Sequence, residues 1–207
     1  FLKGATAFTT GARNTLIGYQ AGNALTTGNS NAFIGYQAGF GGSGMNDNNA
    51  IGYQAGYNAT AASSSNFIGY QAGTGASGVY AVNFIGQNAG ASVTSANYAN
   101  FIGYSAGYGA SLASQANFIG FSTGYGSHSA QYSNFMGSNA GSNAPSAANS
   151  NFFGQNAGNG ATNASNSNFF GNATGYQATN ASDSIFMGQN AGRNATGATE
   201  SIFMGKN

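Results

Sequence analysis

The chain has 207 residues with four Lys or Arg, three Asp or Glu, one His and no Cys, giving a net charge of +1. Charged residues make up 3% of it, against about a quarter in an ordinary soluble domain, and Lys3, Arg13, Arg193 and Lys206 all sit near the two ends. No basic stripe is left to neutralise phosphates, so the composition argues against nucleic-acid binding and polybasic membrane contact; short apolar runs argue against membrane insertion, and disulfide or thiol chemistry is excluded.

From the N-terminus onward the sequence keeps a seventeen-residue clock. Residues 1–13 read as a partial N-terminal rung, because Thr9, Thr10 and Gly11 precede Thr26, Thr27 and Gly28 by one period, and residues 14–207 read as one continuous array. A glycine recurs at Gly18, Gly35, Gly52, Gly69, Gly86, Gly103, Gly120, Gly137, Gly154, Gly171, Gly188 and Gly205, and a second stands four residues after each of the first eleven, from Gly22 to Gly192. Such regularity is the mark of a unit stacked on its own copies.

Just before each repeat glycine lies a predicted strand, short, aromatic and β-branched, and too rich in Gly for a helix. One column of it holds Ile17, Ile34, Ile51, Ile68, Ile85, Ile102 and Ile119, followed by Met136, Phe153, Phe170, Met187 and Met204. The column before it holds Phe33, Phe67, Phe84, Phe101, Phe118, Phe135, Phe152, Phe169, Phe186 and Phe203, with Leu16 and Ala50 as exceptions. After the glycine come Tyr19, Tyr36, Tyr53 and Tyr70 beside Gln20, Gln37, Gln54 and Gln71, then Ala.

Further along each repeat, a Gly/Asn column (Gly41, Asn58, Gly75, Gly109, Gly126, Asn143, Gly160) marks a predicted turn, since these residues tolerate positive φ. Beyond it, a Ser/Thr column is flanked by two Ala columns seven and ten residues past the repeat glycine. Two short strands and two turns per repeat define the expected fold class: all-β, a parallel β-solenoid or β-roll of about twelve rungs spaced about 4.8 Å apart.

Alternation along a strand puts the Ile, Tyr and Ala columns on one face and the Phe, Gly and Gln columns on the other, so both apolar ladders cannot line one interior. Either Ile lies inside and about ten Phe rings point outward, or Phe lies inside and the Ile/Tyr face is outward. The first arrangement is taken forward: Ile17 to Ile119 as the interior ladder, and Phe33 to Phe203 as an assembly ladder buried between identical chains. Ten such Phe at roughly 2 kcal/mol each would contribute on the order of 20 kcal/mol before association costs.

The blocks NTLIGYQAG (14–22), NAFIGYQAG (31–39), SNFIGYQAG (65–73) and ANFIGYSAG (99–107) resemble the Ile-Gly repeats of trimeric autotransporter adhesin heads of the Yersinia type, and similar repeats of tail-fibre-like proteins. The resemblance covers residues 14–207 and implies a parallel β-roll, three chains around a shared apolar axis, and service as a stiff extracellular fibre or adhesive head. In this chain Phe often stands where those heads carry a small residue, and the period is longer.

Catalytic chemistry has little to stand on. The lone His128 lies about five rungs, roughly 24 Å, from Asp47 and about three rungs, roughly 14 Å, from Asp183, too far for a hydrolytic triad. Three acids cannot build a dedicated metal cage, and no phosphate loop ends the Gly-rich runs; no catalytic, metal or cofactor residue is expected. Asn58, Asn163, Asn172, Asn180 and Asn194 head Asn-x-Ser/Thr triplets and are candidate glycosylation sites.

The expected function is therefore a non-enzymatic structural protein, extracellular or at the cell surface, associating with itself as a homotrimer or a head-to-tail filament, with a cell-surface or glycan receptor as a further partner. Two alternatives stand beside it: an ice-binding solenoid that uses the Thr column, and a carbohydrate-binding head that uses the Tyr/Gln ladder.

Overall fold

In the computed structural model, which describes residues 11–206, the chain winds as a parallel β-solenoid. Twelve strands of three residues each, from β1 (Thr15–Ile17) and β2 (Ala32–Ile34) through β4 (Asn66–Ile68) and β5 (Asn83–Ile85) to β12 (Ile202–Met204), form one sheet in sequence order. Every pair is parallel and offset by one repeat, so that Asn66, Phe67 and Ile68 lie against Asn83, Phe84 and Ile85. Most of the partial N-terminal rung expected over residues 1–13 lies outside the described residues.

One regular strand per coil, rather than two, is what forms. Elsewhere the coils meet through isolated parallel bridges such as Thr60↔Ser77↔Thr94↔Ser111↔His128 and Thr162↔Thr179↔Thr196. The reason is local backbone geometry: between Gly69 and Gly86 the chain adopts positive φ at Gly69, Gln71, Gly73, Gly75, Gly78 and Ala81. A bend every two or three residues leaves no length over which a second strand could run. The Gly/Asn turn column expected from sequence is one of these bends, with φ from 51° at Asn58 to 73° at Gly41.

Those bends also reverse the expected inside and outside. Strand alternation ends at the repeat glycine, whose φ is 135° at Gly69, and the chain turns before the Ala column, so Ala72 points inward with Phe67 while Ile68 and Tyr70 point outward. The Phe ladder assigned to assembly is the interior: Phe33, Phe67, Phe84, Phe101, Phe118, Phe135, Phe152, Phe169 and Phe186 are fully buried, and only Phe203, on the last strand, is exposed. The Ile ladder assigned to the interior, Ile17, Ile34, Ile51, Ile68, Ile85, Ile102 and Ile119, is exposed.

Inside, the Phe rings form a continuous stack, with centroids 4.6–4.9 Å apart from Phe84 to Phe186, walled by buried Ala such as Ala59, Ala62, Ala76 and Ala96. The two glycine columns make this possible. A Cβ at Gly69 would lie 2.6 Å from the Gly86 carbonyl oxygen of the next coil, and one at Gly175 would lie 2.5 Å from the Phe169 ring. The first glycine lets coils stack closely; the second makes the floor on which each ring rests.

A buried polar column, four residues before the repeat glycine, ties one side of each coil to the next. Asn48 donates its side-chain amide to the Ala62 carbonyl at 2.9 Å, and Ser150 and Ser167 donate their hydroxyls to Ala164 and Ala181 at 2.7 and 2.6 Å. Among the described residues no buried side-chain nitrogen or oxygen lacks a partner, as burial of polar groups requires.

Candidate assembly face

The outward surface of the sheet is built from three columns. The first starts each strand and is Asn in eight consecutive coils, Asn49, Asn66, Asn83, Asn100, Asn117, Asn134, Asn151 and Asn168. Each side-chain amide of this series donates to the Oδ1 of the Asn in the following coil, from Asn49 to Asn168, at 2.7–2.9 Å. Identical amides at one spacing satisfy one another in line. Sequence reasoning passed over this column, although an Asn three residues before eight successive repeat glycines was its visible signal.

The second column is the exposed apolar ladder. Ile68 and Ile102 each retain 37% exposure and Met187 retains 41%, much for residues of this kind set in an unbroken row. The third column is aromatic in the N-terminal half, where Tyr19, Tyr36, Tyr53 and Tyr70 stack at 5.0–5.4 Å. Beneath them the Gln amides form their own ladder, Gln37 donating to Gln20, Gln54 to Gln37 and Gln71 to Gln54 at 2.8–2.9 Å.

The apolar bulk shifts from one column to the other along the molecule. Up to Phe121 the third column is aromatic in every coil but that of Gln87, and the second holds Ile; where the third turns polar at Ser138, Gln155, Asn172 and Gln189, the second becomes Met136, Phe153, Phe170 and Met187. A continuous apolar row thus persists through all twelve coils.

Other sequence-derived candidates scatter. The Asn58, Asn163, Asn172, Asn180 and Asn194 side chains are all exposed, but Asn163 donates to Asn180 at 2.9 Å and Asn172 to Gln155 at 3.1 Å. The hydroxyl of Thr174, which completes the Asn172 triplet, donates to the Gly188 carbonyl at 2.8 Å. His128 pairs its Nδ1 with the Ser111 hydroxyl at 2.6 Å on the exposed surface. Among the described residues no three His, Cys, Asp or Glu side chains gather as a metal site, and no helix is long and apolar enough to cross a membrane.

The fold and this face define a β-solenoid repeat protein with an exposed apolar row along its length. No protein-family model matches the chain, and no curated protein matches it.

Proposed function

We propose that this protein is a structural rod that associates with copies of itself through the Ile-bearing face, serving as an extracellular fibre or adhesin segment rather than a catalyst. The observation that carries this reading is the in-register row of outward Ile, Met and Phe from Ile17 to Met204, exposed at every position but the half-buried Phe153. At about 55 Å by about 7 Å, roughly 400 Å², the row is at the limit of what soluble monomers usually expose. With the Asn and Tyr columns beside it, the face measures about 55 Å by about 14 Å, or roughly 800 Å², the area one partner contributes to a stable interface.

Three chains around a common axis is the arrangement in keeping with the resemblance to adhesin heads, and the Ile ladder, not the Phe ladder, is the surface that would meet there. Size-exclusion chromatography with light scattering tests the reading: a multi-chain species is expected, converted to monomer by the pair Ile85→Glu and Ile102→Glu with the far-UV spectrum unchanged. A stable wild-type monomer in dilute buffer overturns it.

One observation favours a second reading. The bridged column Thr162, Thr179 and Thr196, with Thr60, Ser77, Thr94 and Ser111 earlier, is an array of hydroxyl residues at a constant spacing of the kind that orders water. Pro145 and His128 interrupt it. Thermal hysteresis with shaped ice crystals would promote ice binding above self-association.

A further inference from the structure

Departures from the repeat are as informative as the repeat. Near the middle of the molecule, in the segment between the Ser/Thr column and the next strand, large side chains stand exposed: Tyr80, Tyr98, Leu112 and Tyr132 are 43%, 59%, 48% and 58% exposed. Tyr98, Gln115 and Tyr132 occupy one column on three successive coils, and all three hold positive φ, at 56°, 56° and 58°. In other coils that column carries mostly short polar residues, Ser64, Asn149, Asn166 and Asp183 among them, with exceptions such as Ala81 and Glu200, also at positive φ.

A tyrosine in the left-handed region is strained, whereas Asn and Asp tolerate it. The strain gains the fold nothing in burial, because these are the two most exposed tyrosines of the chain. They differ from the Tyr19–Tyr70 ladder in one respect that matters for recognition. In that ladder the rings stack within 6–16° of parallel, so the inner rings cover each other's faces and present mainly edges to solvent. Tyr98 and Tyr80 form an edge-to-face pair at 86° and 5.3 Å rather than a stack, among the described residues no ring packs on Tyr132, and both Tyr98 and Tyr132 keep more than half their surface exposed.

We infer that Tyr98 and Tyr132 form a binding site for an extended, uncharged β-1,4-linked oligosaccharide lying along the solenoid axis. Two coils separate the rings, about 10 Å, which is the length of a disaccharide repeat in such a chain, so alternate sugar rings meet successive tyrosines. Open aromatic faces take the C–H face of a pyranose, and phenol hydroxyls take its polar rim. The surroundings offer amides and hydroxyls at Asn97, Gln115, Gln131 and Ser114. No Lys, Arg, Asp or Glu occurs from Asn48 to Ser182, which disfavours phosphorylated, sulfated or acidic ligands. The inference is independent of the self-association reading.

Isothermal titration of the intact protein with cellohexaose and with chitohexaose tests it, using the curled α-linked maltohexaose as a control. Binding of at least one β-linked probe is expected, weakened about tenfold or more by Tyr98→Asn or Tyr132→Asn and unaltered by Tyr57→Ala, which lies outside both the assembly face and the proposed site. Both Asn variants should melt at a higher temperature than the wild type, since they relieve backbone strain, so lost binding cannot be ascribed to lost folding. Failure of both β-linked probes to bind, equal binding by the Asn variants, or equal binding of maltohexaose overturns the inference. So does a fall in oligomer size caused by the Asn variants without any sugar binding, which would make the patch a contact between copies.

Discussion

Gly73 and Gly75 share a backbone angle of +66°, but a Cβ at Gly73 would collide with the Phe67 ring, whereas at Gly75 the nearest atom is the Ser92 hydroxyl at 3.9 Å. Gly75→Ala should therefore cost only the left-handed conformation, about 1 kcal/mol. Gly73→Ala adds overpacking and should cost about 2–4 kcal/mol; urea denaturation of the two variants measures the difference. At the same scale, Asn100→Ala removes one acceptor and one donor from the amide ladder and should destabilise by about 1 kcal/mol, softened because water reaches the half-buried neighbours.

Each strand places neighbouring residues in opposite surroundings, and the Phe118 and Ile119 pair shows it. Phe118 is fully buried, with Phe101 and Phe135 stacked on either side at 4.6 and 4.8 Å, so Phe118→Ala should cost about 3–5 kcal/mol. Ile119 is outside, and Ile119→Ala should cost under about 1 kcal/mol in the isolated chain while weakening self-association. Paired denaturation and light-scattering measurements separate the two ladders. Their existence and spacing were legible in the sequence; which one was inside was not. Alternation was carried across the repeat glycine as though the strand continued, but the strand has three residues and the chain bends at Gly69, Gln71 and Gly73, so parity stops there. The second glycine held the missing clue, because a residue without a side chain four positions on leaves room for a ring and an Ile outside needs none.

Across the whole molecule each coil touches its neighbours in the stack, with backbone amides bonded to the coil before and the coil after, as when Gly86 donates to Ile68 and Gly73 donates to Ala89. Stability in such an array is a sum of coil and interface contributions. Deleting residues 83–99 joins Val82 to Asn100 in the same register and should leave a folded rod shorter by about 4.8 Å, seen by small-angle scattering with an unchanged far-UV spectrum. Removing Asn100 alone shifts every later column within its coil, exposes Phe rings, and should give an aggregating product. With so few charges to screen, raising salt to about 1 M should change stability little beyond its general strengthening of apolar burial.

What the amino-acid order determines by itself is the period, the coil and the direction of stacking, because a glycine every seventeenth residue with apolar pairs before it can satisfy its backbone only against copies of itself. The exposed face, the interior stack, the Asn ladder and the exposure of Tyr98 and Tyr132 were decided by the tertiary structure. Each depends on where the backbone turns between coils, and those turns rest on positive φ at residues such as Gln71, Ala81 and Tyr98, whose side chains give no local sign of it. Stacking imposes that conformation, since a residue in one coil must take the angle that aligns it with the residue above and below.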